Sequence, residues 1–326
     1  MKVCIVGAGA IGGFIGTRLA TSGHDVCAFA RGTTLEALRK HGWRLRQNGE
    51  LRGAPASASD STDELGPQDL VVIAVKGQSL PDVAPLIQPL LKLHTLVLPA
   101  MNGVPWWFGR GVRALESAPL ACVDPDGVVS RAIPFERVIG CAVYIGASTS
   151  EPGLVEHHTG DKLIIGEPAG GGESVRVQGL GQALKHAGVE ITVSAAVRRD
   201  IWYKLMGNLT MNPLAAITGA PTDRLLADPL VRGFCSAAMH EAAAVGAQIG
   251  CAIDQQPEDR HAMTLKLGSI RPSMLQDVEA GRTLELDAIV SVVRELAQRV
   301  GIATPNIDAL LGVTRLFART RGLYPA

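Results

Sequence analysis

The spacing of apolar and polar residues divides the chain into two parts with different periodicities. In the first part, short apolar runs at residues 2–6, 24–30, 70–75, 95–98, 138–147, 162–165 and 190–193 predict strands, and residues 174–187 predict a helix. From residue 200 onward, apolar residues recur at three- and four-residue intervals, as in segments 228–250 and 284–301. The pattern predicts an α/β domain at residues 1–195 and an all-α domain at residues 196–326.

Polar segments separate several of these elements. Residues 57–69 and 148–161 are expected to be connectors, and residues 167–174 a loop. The three glycines of that loop do not precede a helix with phosphate-binding spacing, so we assign it no chemistry. His157 and His158 invite a metal interpretation, but neighbouring side chains on a strand face opposite sides and no carboxylate-rich ligand set accompanies them. We interpret both as structural or peripheral.

Composition narrows the class of protein. The 326 residues favour two domains, and 47% hydrophobic residues are enough for sizeable cores. Because 31 basic residues balance 31 acidic ones, the net charge does not favour binding to nucleic acid or to an anionic membrane. We therefore expect a small-molecule partner. The six cysteines form no CxxC or Cys/His spacing, and the apolar start has only one Lys before the glycines. We therefore expect a cytoplasmic protein with no metal and no signal peptide.

The segment IWYKLMGNLTMNP, residues 201–213, places three polar side chains at four-residue intervals: Lys204, Asn208 and Asn212. On an α-helix each such step advances about 400°, so the three would form a slowly drifting row on one face. We predict a helix over residues 200–212 that ends before Pro213. A solvated stripe on an amphipathic helix is the alternative explanation of the row.

The opening KVCIVGAGAIGG has glycines at positions 7, 9 and 12 between a strand and a helix. In a dinucleotide-binding fold, Gly7 would permit the tight turn, Gly9 the approach of the pyrophosphate, and Gly12 the packing of helix on strand. The first helical residues, Ala10 and Ile11 with Gly12, would offer unpaired N–H groups to the phosphates. The motif predicts a Rossmann-type domain that binds a nicotinamide dinucleotide.

Arg31 follows the second predicted strand, where an NAD-preferring site would have Asp or Glu. A guanidinium there suits a 2′-phosphate, so NADPH is the expected cofactor. A surface arginine is the alternative interpretation. Lys76 and Asn102 follow two further strands, and ligands in such sheets lie beyond the carboxyl ends of the strands. We expect both residues to contact cofactor or substrate, although each taken singly fits an ordinary loop.

The chain resembles the ketopantoate reductase (2-dehydropantoate 2-reductase) family, which reduces a 2-oxo acid with NADPH. The resemblance is carried by the motif GAGAIGG, by the pairs Val75-Lys76 and Asn102-Gly103, and by the segments WYKLMGNLTMNPLAAITG and SMLQDVEAGRTLELD. It implies a Rossmann domain, a helical C-terminal domain and an interdomain active site. It also implies roles for six residues: Lys204 as catalytic lysine, Glu285 as substrate-site glutamate, and Asn102, Asn208, Asn212 and Ser273 as cofactor- or substrate-binding residues.

The chemistry of these residue types agrees with the resemblance. Hydride transfer to a ketone leaves charge on oxygen, and an ammonium can stabilise that charge and supply a proton, so Lys204 is the expected general acid. Asn208 would orient a substrate hydroxyl or carbonyl, and Ser273 is positioned by homology to hold the carboxylate. Glu285 would accept from a substrate hydroxyl or pair with Lys204. Without the resemblance, Glu285 would be interpreted as a surface carboxylate.

The sequence departs from some family members near GAPTD, where Thr222 replaces an amide, which weakens the assignment of ketopantoate's hydroxyl pocket. Trp106 and Trp107 follow Asn102 closely and either line the same cleft or pack under the cofactor. The leading prediction is an NADPH-dependent reduction of ketopantoate by a homodimer. The alternatives are reduction or oxidation of another oxo or hydroxy acid on the same fold, and a non-catalytic NADP(H)-binding regulator.

Overall fold

A computed structural model describes residues 1–115, 118–172 and 174–325. The described residues form ten strands, and β1, β2, β6 and β7 of the first sheet are largely buried. The strands are β1 (Lys2–Val6), β2 (Asp25–Phe29), β3 (Trp43–Gln47), β4 (Glu50–Ala54), β5 (Ser57–Ser59), β6 (Leu70–Ile73), β7 (Leu96–Pro99), β8 (Gly140–Glu151), β9 (Leu154–Gly166) and β10 (Glu190–Val193).

The described residues also form thirteen α-helices. They are α1 (Ala10–Thr21), α2 (Gly32–His41), α3 (Thr62–Leu65), α4 (Leu80–Val83), α5 (Val128–Ala132), α6 (Val175–His186), α7 (Val197–Thr218), α8 (Thr222–Ala227), α9 (Pro229–Gln248), α10 (Pro257–Lys266), α11 (Ser273–Glu279), α12 (Val292–Val300) and α13 (Pro305–Thr320). Short 3₁₀ turns occur at Gly77–Ser79, Ala84–Leu90, Pro125–Gly127 and Phe135–Arg137, and a π-helical turn at Asp287–Ser291 leads into α12.

The first sheet is parallel, with the order β5-β2-β1-β6-β7. The chain runs from β1 towards β5 on one side and then returns to β6 and β7 on the other, so the order reverses between β1 and β6. Strands β1 and β6 are buried at every position except Lys2, as expected for a parallel sheet covered on both faces. This arrangement confirms the predicted Rossmann-type domain, whose ligands bind at such a switch point.

A second sheet, which the sequence analysis did not predict, has the order β10-β9-β3-β4, with β8 paired antiparallel to β9. Helix α1 packs between the two sheets. On one side Gly12 lies against Ile5 of β1, and on the other Gly16 lies against the buried ring of Trp43 in β3. The two sheets therefore share one hydrophobic core that fixes the position of α1 and of the glycine turn before it.

The chain divides into two compact units. Unit 1 comprises residues 1–107 and 127–200, and unit 2 comprises residues 108–126 and 201–326. Unit 1 contains the ten strands, and the elements of unit 2 are helical, in line with the predicted fold class. The units differ from the predicted domains in segment 108–126, which was predicted in the first domain, and in residues 196–200, which were predicted in the second. The domain boundary at residue 195 remains a prediction.

Several predicted element bounds were wrong. Helix α7 continues through Pro213 to Thr218, because Met211 and Ala215 pack in a cluster with Leu225 of α8, and this burial outweighs the missing N–H of proline. The connector 57–69 contains β5 and α3, and segment 148–161 belongs to the long β8–β9 hairpin rather than to a loop. No predicted helix corresponds to α2, α4, α5, α8, α10, α11 or α13, and no predicted strand corresponds to β3 or β4.

A carboxylate in unit 2 anchors segment 108–126. Glu295 of α12 accepts hydrogen bonds from the backbone N–H groups of Ala121 and Cys122, both at 2.9 Å, and from Arg299 at 2.6 Å. Burial acts to raise the pKa of Glu295, but these bonds to the charged form hold that pKa below its ordinary value. The ionised carboxylate therefore stabilises the folded state.

We expect Glu295→Gln to lower the free energy of unfolding by about 2 kcal/mol at pH 7, because the bonds lost are charge-assisted. A depressed folded-state pKa gives stability that is present above the unfolded-state pKa and is lost as the pH falls through the folded-state value. The difference between variant and wild type should therefore shrink below about pH 4.3. Urea titrations from pH 7 to pH 3 measure it. Glu279→Gln, in an exposed pair with Arg271, is the matched control and is expected to change little. A constant difference across this pH range would contradict the assignment.

Among the described residues, no helix is both long and apolar enough to cross a membrane.

Candidate functional site

The glycine turn between β1 and α1 has the geometry of a dinucleotide cradle. Gly7 has a φ of +92°, which L side chains rarely adopt, and it closely approaches the backbone of Ala74 after β6. Gly9 is exposed and has open space where a Cβ would stand, and no side chain caps the start of α1. Gly12 is buried, and an added Cβ would lie 2.1 Å from the carbonyl oxygen of Gly7. The open side of the turn and the N-terminus of α1 thus fit a pyrophosphate.

Three predicted cofactor residues lie at the same edge of the first sheet. Arg31, Lys76 and Asn102 follow β2, β6 and β7, whose parallel strands end together beside the glycine turn. The guanidinium of Arg31 is exposed and lies 5.5 Å from the ring centroid of Phe29, while Lys76 and Asn102 are half-buried. The structure therefore places these residues along the same edge of the first sheet, within unit 1.

The N-terminus of α2 is a feature of the candidate site that was not predicted from the sequence. This helix begins at Gly32, directly after Arg31, and no side chain caps it. Its first N–H groups carry partial positive charge at the edge of the sheet where a 2′-phosphate is expected. The residues Arg-Gly-Thr-Thr directly after a strand are the sequence signal that could have indicated it.

The row of polar side chains on α7 is partly or fully buried in unit 2 rather than solvated. Lys204 and Asn208 are half-buried, and Asn212 is only 5% exposed. All three belong to one helix, so the four-residue spacing places them on one face as predicted. Within the part of the chain that the structure describes, the side-chain amides of Asn208 and Asn212 form no hydrogen bond. Because buried amides are normally paired, these two are suited to a polar ligand.

The second C-terminal motif forms a turn with its own internal bonds. Ser273 is the exposed first residue of α11, and Glu285 is half-buried just before the π-helical turn that leads into α12. Between them, Arg282 donates through Nε to the buried carboxylate of Asp277 at 2.9 Å, and its N–H donates to the carbonyl of Asp277. This bracing explains the Asp and Arg of the motif and leaves Ser273 exposed at the surface of unit 2.

Three other residues singled out by sequence are buried and contact other parts of the protein. Trp106 and Trp107 are 4% and 2% exposed, and the ring of Trp107 lies against Gly140, which favours the packing interpretation. Thr222 is 4% exposed, and its N–H donates to the carbonyl of Ile270 at 2.9 Å. Thr222 therefore holds the loop before Ser273.

The histidines of the hairpin also have protein partners. The ring of His157 packs 5.2 Å from that of Phe14 and its Nε2 donates to the carbonyl of Gly160, while His158 bonds to Ser148. Over the described residues, no group of three or more His, Cys, Asp and Glu side chains is arranged to hold a metal ion.

Comparisons with known proteins cover nearly the whole chain. The profile of the family described as ketopantoate reductase PanE/ApbA matches residues 3–170, and the profile of its C-terminal part matches residues 196–318. A 2-dehydropantoate 2-reductase of Mesorhizobium japonicum is 42% identical over 99% of this chain and 100% of its own length.

Two solved structures extend the likeness to the fold. A crystal structure assigned as a ketopantoate reductase from Ralstonia solanacearum MolK2 is 49% identical, covers 99% of each chain and has a TM-score of 0.95. A 2-dehydropantoate 2-reductase from Geobacter metallireducens GS-15 is 27% identical, covers 97% of this chain and 100% of its own, and has a TM-score of 0.85.

Proposed function

The chain belongs to the ketopantoate reductase family, and we propose that it reduces 2-dehydropantoate (ketopantoate) to pantoate with NADPH, with Lys204 as the general acid. The observation that carries the proposal is the row on α7, where an ammonium precedes two amides that make no hydrogen bond to described residues. A pure NADP(H)-binding regulator has no need of such a row, so the family's oxidoreductase activity is the function that the residues favour.

Unit 1 is proposed to bind the cofactor. The N–H groups of Ala10, Ile11 and Gly12 would hold the pyrophosphate, which Gly9 allows to approach closely. Arg31 and the N-terminus of α2 would bind the 2′-phosphate. Lys76 and Asn102 would complete the contacts at the ends of β6 and β7. When bound, NADPH supplies the hydride for reduction of the 2-oxo group.

Unit 2 is proposed to supply the proton and to orient the substrate. As the ketone carbon is reduced, its oxygen gains negative charge, and the ammonium of Lys204 stabilises that charge and donates a proton to the oxygen. The amides of Asn208 and Asn212 orient substrate oxygens, and the hydroxyl of Ser273 binds the carboxylate. Glu285 accepts a hydrogen bond from the substrate hydroxyl or pairs with Lys204.

The first experiment is an assay of purified protein with ketopantoate, in which loss of the near-ultraviolet absorbance of NADPH is followed and NADH is the paired control. Rapid, NADPH-preferring turnover that yields pantoate would support the proposal. If NADPH binds but ketopantoate is not reduced, a panel of other 2-oxo acids distinguishes a different substrate on the same site from a non-catalytic binder.

Replacement of Arg31 tests the choice of cofactor. We expect Arg31→Ala to raise the KM for NADPH about tenfold or more, because a charge-assisted contact to the 2′-phosphate is lost, and to leave the KM for NADH almost unchanged. Steady-state kinetics with both cofactors measure the ratio. Arg39→Ala, in the last turn of α2, is the matched control on the same helix. An equal rise in the KM for both cofactors would contradict the assignment of Arg31 as the 2′-phosphate ligand.

We also propose that the protein is a cytoplasmic homodimer. Val313 and Leu316 are 58% and 65% exposed one turn apart on α13, which suits a surface that a second copy covers. Light scattering coupled to size-exclusion chromatography tests the dimer, and Leu316→Lys should shift it towards monomer. Six scattered cysteines without a disulfide framework suit a reducing compartment.

A further inference from the structure

A guanidinium lies against α7 on the face next to the one that carries Lys204 and Asn208. Arg260 of α10 places its Cζ 4.6 Å from the ring centroid of Tyr203, and its head group also contacts Gly207. Tyr203 and Gly207 each precede one member of the row by a single residue, which on a helix is a rotation of about 100°. The cation therefore lies on the neighbouring face of the same two turns of α7.

Gly207 makes room for this guanidinium. A Cβ built on Gly207 would lie 2.7 Å from Nη2 and 2.9 Å from Nε of Arg260, closer than real contacts allow. Glycine inside a helix costs about 1 kcal/mol relative to alanine. Its presence in the middle of α7 is explained if the position of the Arg260 head group matters.

The charge of Arg260 is not balanced by a described carboxylate. Its Nε is buried with no hydrogen-bond partner, and its guanidinium forms no ion pair within the described residues. A half-buried guanidinium that is stacked on one face and lacks an anion is arranged to receive one.

We propose that Arg260 binds the carboxylate of the 2-oxo acid substrate. This inference rests on the function proposed above and deepens it, because it adds a charged ligand to the neutral donors Asn208 and Ser273. A guanidinium presents two parallel N–H groups that match a carboxylate, and stacking on Tyr203 fixes its plane before the substrate binds. Arg260 thus selects for anionic substrates and leaves the proton transfer to Lys204.

The first test uses Arg260→Met and Arg260→Lys in the full chain. We expect Arg260→Met to raise the KM for the 2-oxo acid about 10- to 100-fold, with a smaller effect on kcat and an unchanged Kd for NADPH by fluorescence titration. Arg260→Lys should recover part of the loss. Arg315→Met, at an exposed arginine of α13, is the matched control. The 2-oxo amide, which lacks the negative charge, should inhibit wild type and Arg260→Met equally weakly.

The second test moves the guanidinium without removing it. Gly207→Ala should displace the flexible end of Arg260, raise the KM for the acid, and leave the melting temperature unchanged or higher because alanine favours the helix. The double variant Gly207→Ala/Arg260→Met should be no worse than Arg260→Met alone, since both changes act on the same contact. Additive losses in KM would show that Gly207→Ala acts elsewhere.

Two results would overturn the proposal. One is an unchanged KM in a folded Arg260→Met variant, and the other is an equal loss of kcat, NADPH affinity and melting temperature, which is expected if Arg260 only attaches α10 to α7. If wild type does not reduce ketopantoate, the proposed substrate fails separately. In that case calorimetry with a panel of 2-oxo acids decides: wild type should bind one that Arg260→Met does not, and binding of none would refute the role of Arg260.

Discussion

Replacement of Lys204 by alanine is expected to reduce kcat by at least about a thousandfold while leaving the Kd for NADPH within twofold of wild type. The reason is that a positioned general acid contributes about 10²- to 10⁴-fold, and the same ammonium also stabilises the developing oxyanion. The cofactor contacts, in contrast, are proposed to come from the glycine turn and the strand ends of unit 1. Single-turnover absorbance measurements with saturating ketopantoate give the rate, and fluorescence titration gives the affinity.

Controls for Lys204 separate chemistry from folding. Lys266→Ala, at an exposed position on α10, should retain wild-type kcat. Lys204→Arg keeps the positive charge but holds its proton too tightly to act as a general acid, so we expect a rate well below wild type. If Lys204→Ala loses NADPH affinity as strongly as turnover, its assignment as proton donor is wrong.

The strands of unit 1 were predictable because burial on both faces makes parallel strands continuous apolar runs. β1 and β10 have the predicted bounds, and β6 and β7 differ from prediction by only a few residues. The hairpin of β8 and β9 was not fully predictable, since its exposed residues at 149–152 and 158–160 interrupt the apolar alternation. Pro213 misled for another reason: packing of α7 against α8 decides its length, and such packing is not visible in local sequence.

The sequence also indicated the types and spacing of the candidate site residues, but not their surroundings. The four-residue spacing on α7 placed Lys204 and Asn208 on one face, whereas the burial of Asn212 depends on how the helices pack. Thr222 was identified as a departure in the substrate pocket, and the structure shows its N–H and hydroxyl directed to the loop at 268–270. Arg260 gave no signal, because its contact with Gly207 joins two helices far apart in the chain.

The glycines of the first turn give a second large and separable effect. In Gly12→Ala the new Cβ would meet the backbone oxygen of Gly7 at 2.1 Å and the side chain of Ile5 at 2.9 Å, and a backbone atom cannot move aside cheaply. We expect the free energy of unfolding to fall by about 3 kcal/mol, because α1 must shift away from β1 in the core of unit 1. Thermal and urea unfolding measure this loss.

Gly9→Ala is the matched partner of that variant, because the same methyl group there meets nothing within 4 Å and Gly9 has a negative φ. Its melting temperature should stay close to wild type. If the pyrophosphate approaches the backbone at this point, the methyl group occupies its place and the Kd for NADPH should rise about tenfold or more. Gly9→Ala with wild-type affinity would show that the cofactor does not approach Gly9. A loss of stability as large as that of Gly12→Ala would show that Gly9 serves packing, so the pair of variants separates binding from folding within one motif.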